Sequence, residues 1–475
     1  MTAPRCTAPR CCETEEPVSS QGRTGGYAAV PTATESTLGP LGDPLRWQRI
    51  RALFPLAPDL RYLDTAAAGS VPRPALELLA AAQPDTSAAL RPRDSYPDTL
   101  VTEARATLAS AYGCSVDELA IVSSATDAFA RILHGVELGP GDEVLATDHD
   151  CFTVRTPLAL LRDRRGVVVR RVCPPVGPEQ RAEQIVAMFE AAVTRRTRVI
   201  QWPAVSLTIG AVFPNRELAE LAQRHGLISV VEGAQFIGQF DVDLRSLGVD
   251  FLASSGSKYQ CGPMGTGLLY ARNRVDPEHN PLPLPDFWPT VSLNYPVDGG
   301  LPRRGGAGAG AGAYDLGALL QQSDTADLTR PAVLAAASRL WDQIGRADIA
   351  RYVVGLGARI RQQIVDRWGT GSLLSPLADP SMHSGIVTFD PFASAAWSSR
   401  SAGVGATDAV DSGRLSEFVR RMEDEFDTRL QQVFVPAPGR GGPIPAIRMS
   451  PHLYNSADEI DAAVTAMWQT AEKLR

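Results

Sequence analysis

The sequence has 475 residues, with 46 lysine and arginine residues against 53 aspartate and glutamate residues, so its formal net charge is −7. This acidity argues against a nucleic-acid partner, which requires a basic surface, and the lack of about 18 consecutive apolar residues argues against a membrane-spanning helix. Because the N-terminus lacks the apolar segment of a secretory signal and the seven cysteines suggest no disulfide framework, we predict a soluble cytoplasmic protein.

The chain divides into four predicted segments. Residues 1–43 are rich in Thr, Ser, Pro, Gly and Ala without hydrophobic periodicity, which predicts a disordered N-terminal arm. Residues 44–300 are predicted to form a large α/β domain that opens with an entry helix. Residues 301–326 form a Gly/Ala-rich loop and linker. Residues 327–475 mix helix and strand patterns, which indicates a smaller C-terminal α+β domain.

Strand and helix patterns alternate in the first of these domains. The strand patterns, in chain order, are LAIVSS, DEVLATD, VVVRRV, RVIQWPAV, LISVVEG, DFLASSG and GTGLLYAR. Strands that alternate with helices indicate crossover connections, so we predict a mostly parallel sheet with helices on both faces. In the smaller domain, the strand patterns HSGIVTFD and AIRMS accompany helices predicted at residues 412–432 and 456–473.

Lysine is rare in this sequence. Of the 46 basic residues, only Lys258 and Lys473 are lysines. If the chemistry needs a lysine as nucleophile or base, these two residues are the only candidates. Lys473 lies near the end of the sequence, in a helix that we expect to fray, so Lys258 is the stronger candidate.

Polar side chains follow two buried strand patterns and surround Lys258. One strand ends at Glu232, and the pattern DFLASS delivers Ser255, Ser257 and Lys258 to a loop. Because ligands in parallel sheets bind at the carboxyl ends of the strands, we expect these groups to meet. This set fits pyridoxal phosphate: the lysine forms a Schiff base with the aldehyde, the carboxylate keeps the pyridine nitrogen protonated, and the hydroxyls bind phosphate. We assign no metal ligands.

The stretch VVEGAQFIGQFDVDLRSLGVDFLASSGSKY resembles the cofactor segment of the class V, fold-type I enzymes that depend on pyridoxal phosphate. That aminotransferase family contains cysteine desulfurases, isopenicillin N epimerase, kynureninase and several C–S lyases. The resemblance extends from RYLDTAAAGSVPRP to IRMSPHLYNSADEID. It implies a fold-type I α/β architecture, in which a large domain with a mostly parallel sheet carries a smaller α+β domain.

The resemblance also implies roles around the cofactor ring. Lys258 takes the position of the lysine that forms the Schiff base. Glu232 stands where the family usually has an aspartate on the pyridine nitrogen, and Gln235 would bind the ring hydroxyl.

Phosphate-binding residues follow from the same resemblance. Ser255 and Ser257 would bind the phosphate together with Ala125 and Thr126, which open a helix in the stretch SSATDAFARIL, where the helix dipole favours an anion. The stretch SDTADLTRP resembles the segment in which a threonine reaches the phosphate of the neighbouring subunit. This assigns Thr325 and implies a homodimer with a shared active site.

Two further stretches concern the ring face and the substrate. TDHDCFTVRTP resembles the place where the family puts a side chain over the ring, and residues 149–152 are all candidates. We assign Phe152 to the cofactor, with a core role as the alternative, and His149 to the substrate. AIRMSPHLYN resembles the strand whose arginine binds the substrate α-carboxylate, which assigns Arg448. The alternative for Arg448 is a surface ion pair.

Departures from the family pattern bear on the reaction. No cysteine follows Cys261, so the mobile-loop cysteine of the desulfurases is missing. Leu207 and Ser257 replace an asparagine and a histidine that desulfurases tend to have. The stretches TDHDCFTVRTP and SPHLYN resemble the isopenicillin N epimerase side of the family, which includes the C–S bond-processing pair of lincosamide antibiotic pathways.

These departures favour a lyase of secondary metabolism that breaks the Cβ–S bond of an S-substituted cysteine by β-elimination. Lys258 would take the Cα proton as a base. The alternatives are decarboxylation-linked oxidative deamination of an S-cysteinyl conjugate and amino-acid epimerisation, which needs a second base such as His149 or Tyr259. A non-catalytic scaffold that kept the fold is the alternative from another class of protein.

Overall fold

The computed structural model describes residues 38, 45–88, 99–273, 287–288, 316–321, 327, 329–393, 406–438 and 442–475. The predicted arm at residues 1–43 lies almost entirely outside these residues, as does most of the predicted linker at residues 301–326, so both segments stay predictions. Within the linker, residues Leu316–Gln321 form a short helix where the sequence predicted a loop. None of the helices in the described ranges combines the length and the apolar character needed to cross a membrane.

Helices and strands alternate along most of the described chain. The helices are Arg46–Ala52 (α1), Arg73–Ala88 (α2), Thr99–Ala111 (α3), Ala125–Gly135 (α4), Phe152–Arg165 (α5), Ala182–Ala192 (α6), Asn215–Arg224 (α7), Leu316–Gln321 (α8), Thr329–Ile344 (α9), Arg346–Trp368 (α10), Ala406–Phe426 (α11) and Ala457–Leu474 (α12). The strands are Arg61–Tyr62 (β1), Leu119–Val122 (β2), Glu143–Thr147 (β3), Val168–Val172 (β4), Thr197–Pro203 (β5), Ile228–Glu232 (β6), Phe251–Ser255 (β7), Gly267–Ala271 (β8), Val387–Phe389 (β9), Thr428–Arg429 (β10), Gln431–Val435 (β11) and Ile444–Met449 (β12).

The larger sheet has seven strands in the order β2-β8-β7-β6-β5-β3-β4. Strands β4, β3, β5, β6 and β7 pair in parallel, whereas β8 runs antiparallel to both of its neighbours. The loop that joins β7 to β8 is too short for a crossover connection, which takes a dozen or more residues, so β8 must turn back. The prediction of an α/β fold with a mostly parallel sheet is confirmed.

Parallel pairing brings the ends of β5, β6 and β7 to one edge of this sheet. Pro203 pairs with Glu232, and Ser255 lies at the end of the adjacent strand, opposite Gly267 of β8. A Cβ atom on Gly267 would lie 2.7 Å from the carbonyl carbon of Ser124 and from the carbonyl oxygen of Ser254. Only a glycine permits this approach, and it brings the start of α4 to the same edge of the sheet.

The smaller sheet has three antiparallel strands in the order β11-β12-β9. It shares an apolar cluster with α10, α11 and α12, to which Ile360, Phe418, Ile447 and Val464 contribute. The preceding helix, α9, packs against α2 and α3 of the larger unit. The domain boundary at residue 327 stays a prediction, and this packing associates α9 with the larger sheet.

The helix predicted at residues 412–432 differs from the structure. Helix α11 ends at Phe426, and Asp427 adopts a φ of 46°, in the left-handed region that stops a helix. The chain then enters β10 and β11, which the sequence patterns did not reveal. The helix predicted at residues 456–473 agrees within one residue with α12.

The segment that contains β1 joins the two units. Strand β1 pairs in parallel with β10, and Asp64 forms an isolated bridge with Ser450. A few residues later, the Gly69 N–H donates a hydrogen bond to the Ser257 carbonyl oxygen at 2.8 Å. A Cβ atom on Gly69 would lie 2.0 Å from the carbonyl oxygen of Lys258. The Lys258 loop therefore packs directly on this N-terminal segment.

We expect Gly69→Ala to lower the free energy of unfolding by about 1–3 kcal/mol, because the added methyl group forces the Lys258 loop to move. The matched control is Gly355→Ala in α10, where no atom lies within 4 Å of the added Cβ. Helix propensity should stabilise that variant by about 0.5–1 kcal/mol. Urea unfolding of both variants measures the difference, and equal effects would contradict the close packing at Gly69.

Candidate active site

Lys258 lies in the loop that follows β7, at the carboxyl edge of the larger sheet. Its side chain is partly buried. The backbone is fixed on both sides, because Gly69 donates to the Ser257 carbonyl at 2.8 Å and Cys261 donates to the Lys258 carbonyl at 3.0 Å. The hydroxyls of Ser255 and Ser257 lie 3.1 Å apart and hydrogen-bond to each other. The loop therefore presents an amine and two hydroxyls from an ordered backbone.

Glu232 ends β6 with its side chain 3% exposed. Its Oε1 accepts a hydrogen bond from the Ala234 N–H at 2.9 Å. Burial raises the pKa of Glu232 above its usual value, and the positive charge of Lys258 acts in the opposite direction. The two residues are thus close enough to interact electrostatically, so the structure brings together the amine and the carboxylate that the sequence analysis singled out.

Gln235 has a buried polar atom without a partner. Its Nε2 donates to the Ala66 carbonyl oxygen at 3.0 Å, and Gln239 donates to the Gln235 carbonyl oxygen at 2.8 Å. The side-chain Oε1 is buried and accepts no hydrogen bond. Buried polar groups are almost always paired, so this oxygen is available to accept a hydrogen bond from a ligand. The carboxamide of Gln235, the carboxylate of Glu232 and the amine of Lys258 fit the ring hydroxyl, the nitrogen and the aldehyde of pyridoxal phosphate.

Helix α4 begins at the same edge of the sheet. The Ser124 hydroxyl caps the helix by accepting the Asp127 N–H at 3.1 Å. The first N–H groups of a helix have no acceptor within it, so those of Ala125 and Thr126 are available to an anion. Because Gly267 packs between Ser124 and β7, these N–H groups and the Ser255 hydroxyl belong to one region. This arrangement fits the predicted phosphate site.

His149 is held by residues other than those around Lys258. Its side chain is 2% exposed, with Nε2 3.3 Å from the Pro174 carbonyl oxygen and Nδ1 3.5 Å from the Ser206 hydroxyl. Burial lowers the pKa of His149 to about 4, so the imidazole is neutral at physiological pH. The substrate-binding role assigned to His149 stays a prediction, which these contacts do not favour.

The assignment of Phe152 to the cofactor stays a prediction, which its surroundings do not favour. This residue is the first of α5, its side chain is 80% exposed, and its ring contacts the Arg155 guanidinium 5.8 Å away. The adjacent Cys151 is partly buried instead, and its thiol interacts electrostatically with Glu232 and Lys258. Burial raises the pKa of Cys151 to about 11. Among residues 149–152, Cys151 is therefore better placed than Phe152 to contact a ligand at the site.

Asp150, one of the four candidates for the side chain over the ring, is a buried carboxyl group. It is 6% exposed, its Oδ2 accepts the Thr147 N–H at 2.9 Å, and its Oδ1 accepts no hydrogen bond. Burial, together with the negative charge of Glu232, raises the pKa of Asp150 to about 8. Its position three residues after a buried strand, in the stretch TDHDCFTVRTP, was the signal in the sequence.

Arg448 is buried in β12 and forms an internal ion pair. Its side chain is 2% exposed, and Nη2 donates to the Asp64 carboxylate at 2.7 Å and also to Gln431. Nη1 donates to the Leu207 carbonyl oxygen at 3.2 Å, whereas Nε is buried without a partner. The alternative of a surface ion pair is wrong, because the pair is buried. The partner Asp64, which the sequence analysis missed, follows β1 directly.

Thr325 lies outside the described residues. Its assignment to a neighbouring subunit's phosphate, and the homodimer with a shared active site that it implies, stay predictions.

Comparison with known proteins identifies the family. The model of the family described as "Aminotransferase class-V" matches residues 61–336, which include every site residue above except Arg448. The chain belongs to the aminotransferase class-V family. The family depends on pyridoxal phosphate, so the resemblance seen in the sequence is confirmed.

The chain is similar to two kinds of curated class V protein. It is 29% identical over 258 residues to an isopenicillin N epimerase of Amycolatopsis lactamdurans, a match that covers 54% of this chain and 63% of the relative. It is 31% identical over 245 residues to a probable cysteine desulfurase of Methanothermobacter thermautotrophicus, covering 50% of this chain and 60% of the relative. These matches thus span about three fifths of each relative's length.

Solved structures share the fold over most of the chain. An apo cysteine desulfurase from Thermococcus onnurineus NA1 superimposes with a TM-score of 0.66 and 18% identity, covering 90% of this chain and 98% of that chain. A cystine C–S lyase in complex with its product, cysteine persulfide, superimposes with a TM-score of 0.67 and 19% identity, covering 87% and 99%. At this identity the likeness establishes the fold-type I architecture.

We expect Asp150→Asn to change how stability depends on pH. Between about pH 4 and pH 8 the folded protein holds a proton on Asp150 that the unfolded chain releases, so wild-type stability falls as pH rises, by up to about 1.4 kcal/mol per pH unit from this group. The neutral asparagine removes this contribution, so the variant should gain stability relative to wild type between pH 5 and pH 8. Urea unfolding of the variant and of wild type at pH 5 and at pH 8 measures this change. A stability difference between the two proteins that does not depend on pH would contradict the raised pKa of Asp150.

Proposed function

We propose that this protein is a pyridoxal-phosphate enzyme that acts on an amino acid and breaks the Cβ–S bond of an S-substituted cysteine by β-elimination. The observation that carries the proposal is the meeting of four groups at one sheet edge. These are the Lys258 amine, the buried Glu232 carboxylate, the unpaired Oε1 of Gln235 and the N-terminus of α4.

Each of these residues has a distinct task. Pyridoxal phosphate, when bound, withdraws electrons from the Cα atom of an amine joined to it. Lys258 would hold the aldehyde of this group and, as a free amine, would take the Cα proton as a base. Glu232 would hold the pyridine nitrogen with its buried carboxylate. Ser255 and the first N–H groups of α4 would bind the phosphate.

Arg448 is the candidate for binding the substrate α-carboxylate. Asp64 and the Leu207 carbonyl fix its guanidinium, and its buried Nε–H has no acceptor within the described part of the chain. A substrate carboxylate would satisfy this donor. Asp64 already balances the charge of Arg448. In the contact with the substrate carboxylate, the guanidinium would therefore orient the carboxylate through a directed hydrogen bond as well as attract it.

Elimination is favoured over epimerisation because it needs one base. Epimerisation requires a second base on the opposite side of Cα, and the sequence offers His149 and Tyr259 for that role. His149 is held between Pro174 and Ser206. Tyr259 is fully buried, and burial raises its pKa far above the usual value, so its hydroxyl keeps its proton. Neither residue is therefore placed to serve as the second base.

Elimination is also favoured over transfer of sulfur to a protein cysteine. No cysteine follows Cys261 in the sequence. Burial raises the pKa of Cys261 and raises that of Cys151 to about 11, so both stay protonated thiols and poor nucleophiles. The sulfur would then leave from Cβ as a free thiol. Isopenicillin N epimerases among the matched relatives support a place in secondary metabolism, and we propose a homodimer whose second subunit supplies Thr325.

We expect Lys258→Ala to abolish the absorbance of the Schiff base and to lower kcat at least about 100-fold, because the base is lost. Lys473→Ala is the matched control, since Lys473 is exposed and pairs with Glu425. Absorbance spectra and borohydride trapping followed by peptide mass spectrometry measure the change. A wild-type protein that stays colourless after addition of pyridoxal phosphate would support the non-catalytic scaffold instead.

Incubation of the holoenzyme with S-methyl- and S-ethylcysteine tests the reaction. Elimination predicts equal amounts of pyruvate, ammonia and thiol, with no oxygen consumed. Carbon dioxide release with oxygen uptake would show oxidative deamination instead, and inverted product of unchanged mass would show epimerisation. Product mass spectrometry with an oxygen electrode distinguishes these outcomes.

A further inference from the structure

A tight turn at residues 206–210, named here the 206–210 turn, follows β5 at the carboxyl edge of the larger sheet. It is closed by a hydrogen bond from the Gly210 N–H to the Ser206 carbonyl oxygen at 2.9 Å. Gly210 has a φ of +66°, and a Cβ atom there would lie 2.3 Å from the Ile386 carbonyl oxygen. The turn is thus pressed against the smaller unit and has little freedom to shift.

Four successive carbonyl oxygens of this turn accept hydrogen bonds from side chains that lie beyond α10 in the sequence. The pairs are Arg448 Nη1 to Leu207 at 3.2 Å, Thr388 Oγ1 to Thr208 at 2.6 Å, Ser375 Oγ to Ile209 at 2.6 Å and Ser384 Oγ to Gly210 at 2.6 Å. All four donor residues are buried. The smaller unit therefore holds every carbonyl of the turn after Ser206.

Arg448 and Thr388 act on the turn from adjacent strands. They are direct partners in the antiparallel pairing of β12 with β9, and Gln431 of β11 is the partner of Arg448 on the other side. Arg448 and Thr388 bind the carbonyls of two consecutive residues. The Thr388 backbone is itself fixed, because its N–H donates to the Ser375 hydroxyl at 2.8 Å. The position of the turn and the orientation of the Arg448 guanidinium are therefore set together.

We propose that Thr388 is a positioning residue for substrate binding. Its hydroxyl fixes the Thr208 carbonyl, and through the turn it fixes the Leu207 carbonyl that orients Arg448. With the Leu207 carbonyl and the Asp64 carboxylate in place as acceptors, the guanidinium of Arg448 keeps its unpaired Nε–H available to an α-carboxylate. Without the Thr388 hydroxyl, the Leu207 carbonyl is held less firmly, and Asp64 and Gln431 are left to direct Arg448. This inference rests on the proposed role of Arg448 as the carboxylate ligand.

The test compares Thr388→Val, which keeps the shape of the side chain but loses the donor, with Thr388→Ser, which keeps the donor. For S-methylcysteine, we expect KM of the Val variant to rise about threefold to tenfold, the effect of one hydrogen bond, while kcat changes less than twofold. The Ser variant should behave as wild type. Binding of the amine that lacks the carboxylate, 2-(methylthio)ethylamine, measured by the absorbance change of the holoenzyme, should be the same in all three proteins.

Hydrogen exchange provides a readout that needs neither substrate nor cofactor. The amides of residues 204–213 should exchange faster in Thr388→Val than in wild type and Thr388→Ser. If Thr388→Val does not fold, Ser375→Ala removes the neighbouring donor and carries the same expectations. If Thr388→Val weakens binding of the amino acid and of the amine equally, the inference is overturned, because that result would show a general structural role for Thr388.

Arg448→Ala separates this inference from the proposed function. Suppose that Arg448→Ala weakens binding of the amino acid much more than binding of the amine, whereas Thr388→Val weakens neither selectively. Only the positioning role of Thr388 then fails. If Arg448→Ala weakens both ligands equally, the carboxylate role of Arg448 fails, and the positioning role fails with it.

Discussion

The electrostatic interaction between Glu232 and Lys258 is the constraint on which the candidate site depends. A carboxylate at the end of a buried strand is unfavourable unless an opposite charge lies nearby. Lys258, delivered by the adjacent strand, supplies that charge. The chain has only one other lysine, which is exposed and pairs with Glu425 near the end of α12. The partly buried lysine therefore lies beside Glu232. A cofactor with an aldehyde and a basic nitrogen would need both the amine and the carboxylate at this place.

The site is built by the larger sheet but completed by the smaller unit. Lys258 and Glu232 come from parallel strands, whose carboxyl ends meet by topology. Arg448 comes from a different sheet, and Asp64, Gln431 and the Leu207 carbonyl hold its guanidinium. In the proposed function, recognition of a substrate and activation of its Cα atom are thus tasks of two structural units, joined through the 206–210 turn and the segment around β1.

Much of the fold and part of the site follow from local sequence patterns, and the rest depends on long-range contacts. Glu232, Ser255 and Lys258 could be predicted because each lies at or just after the end of a recognisable strand. The ion pair of Arg448 with Asp64 could not, since the two residues are 384 positions apart and no pattern links them. The exposure of Phe152 could not be predicted, because one residue at a helix start decides between the interior and solvent, and Cys151 rather than Phe152 lies on the inner side. The strands after α11 were missed because their apolar positions continued the helical pattern.

The bridge between the segment around β1 and the end of the chain has a consequence for synthesis on the ribosome. Residues 61–62 pair with residues 428–429, and Asp64 pairs with Ser450, so this early segment has no docking place until residue 450 has emerged. The Lys258 loop packs on Gly69 and therefore cannot reach its final position earlier. A product that terminates before residue 428 would carry the reactive amine without the scaffold that confines it.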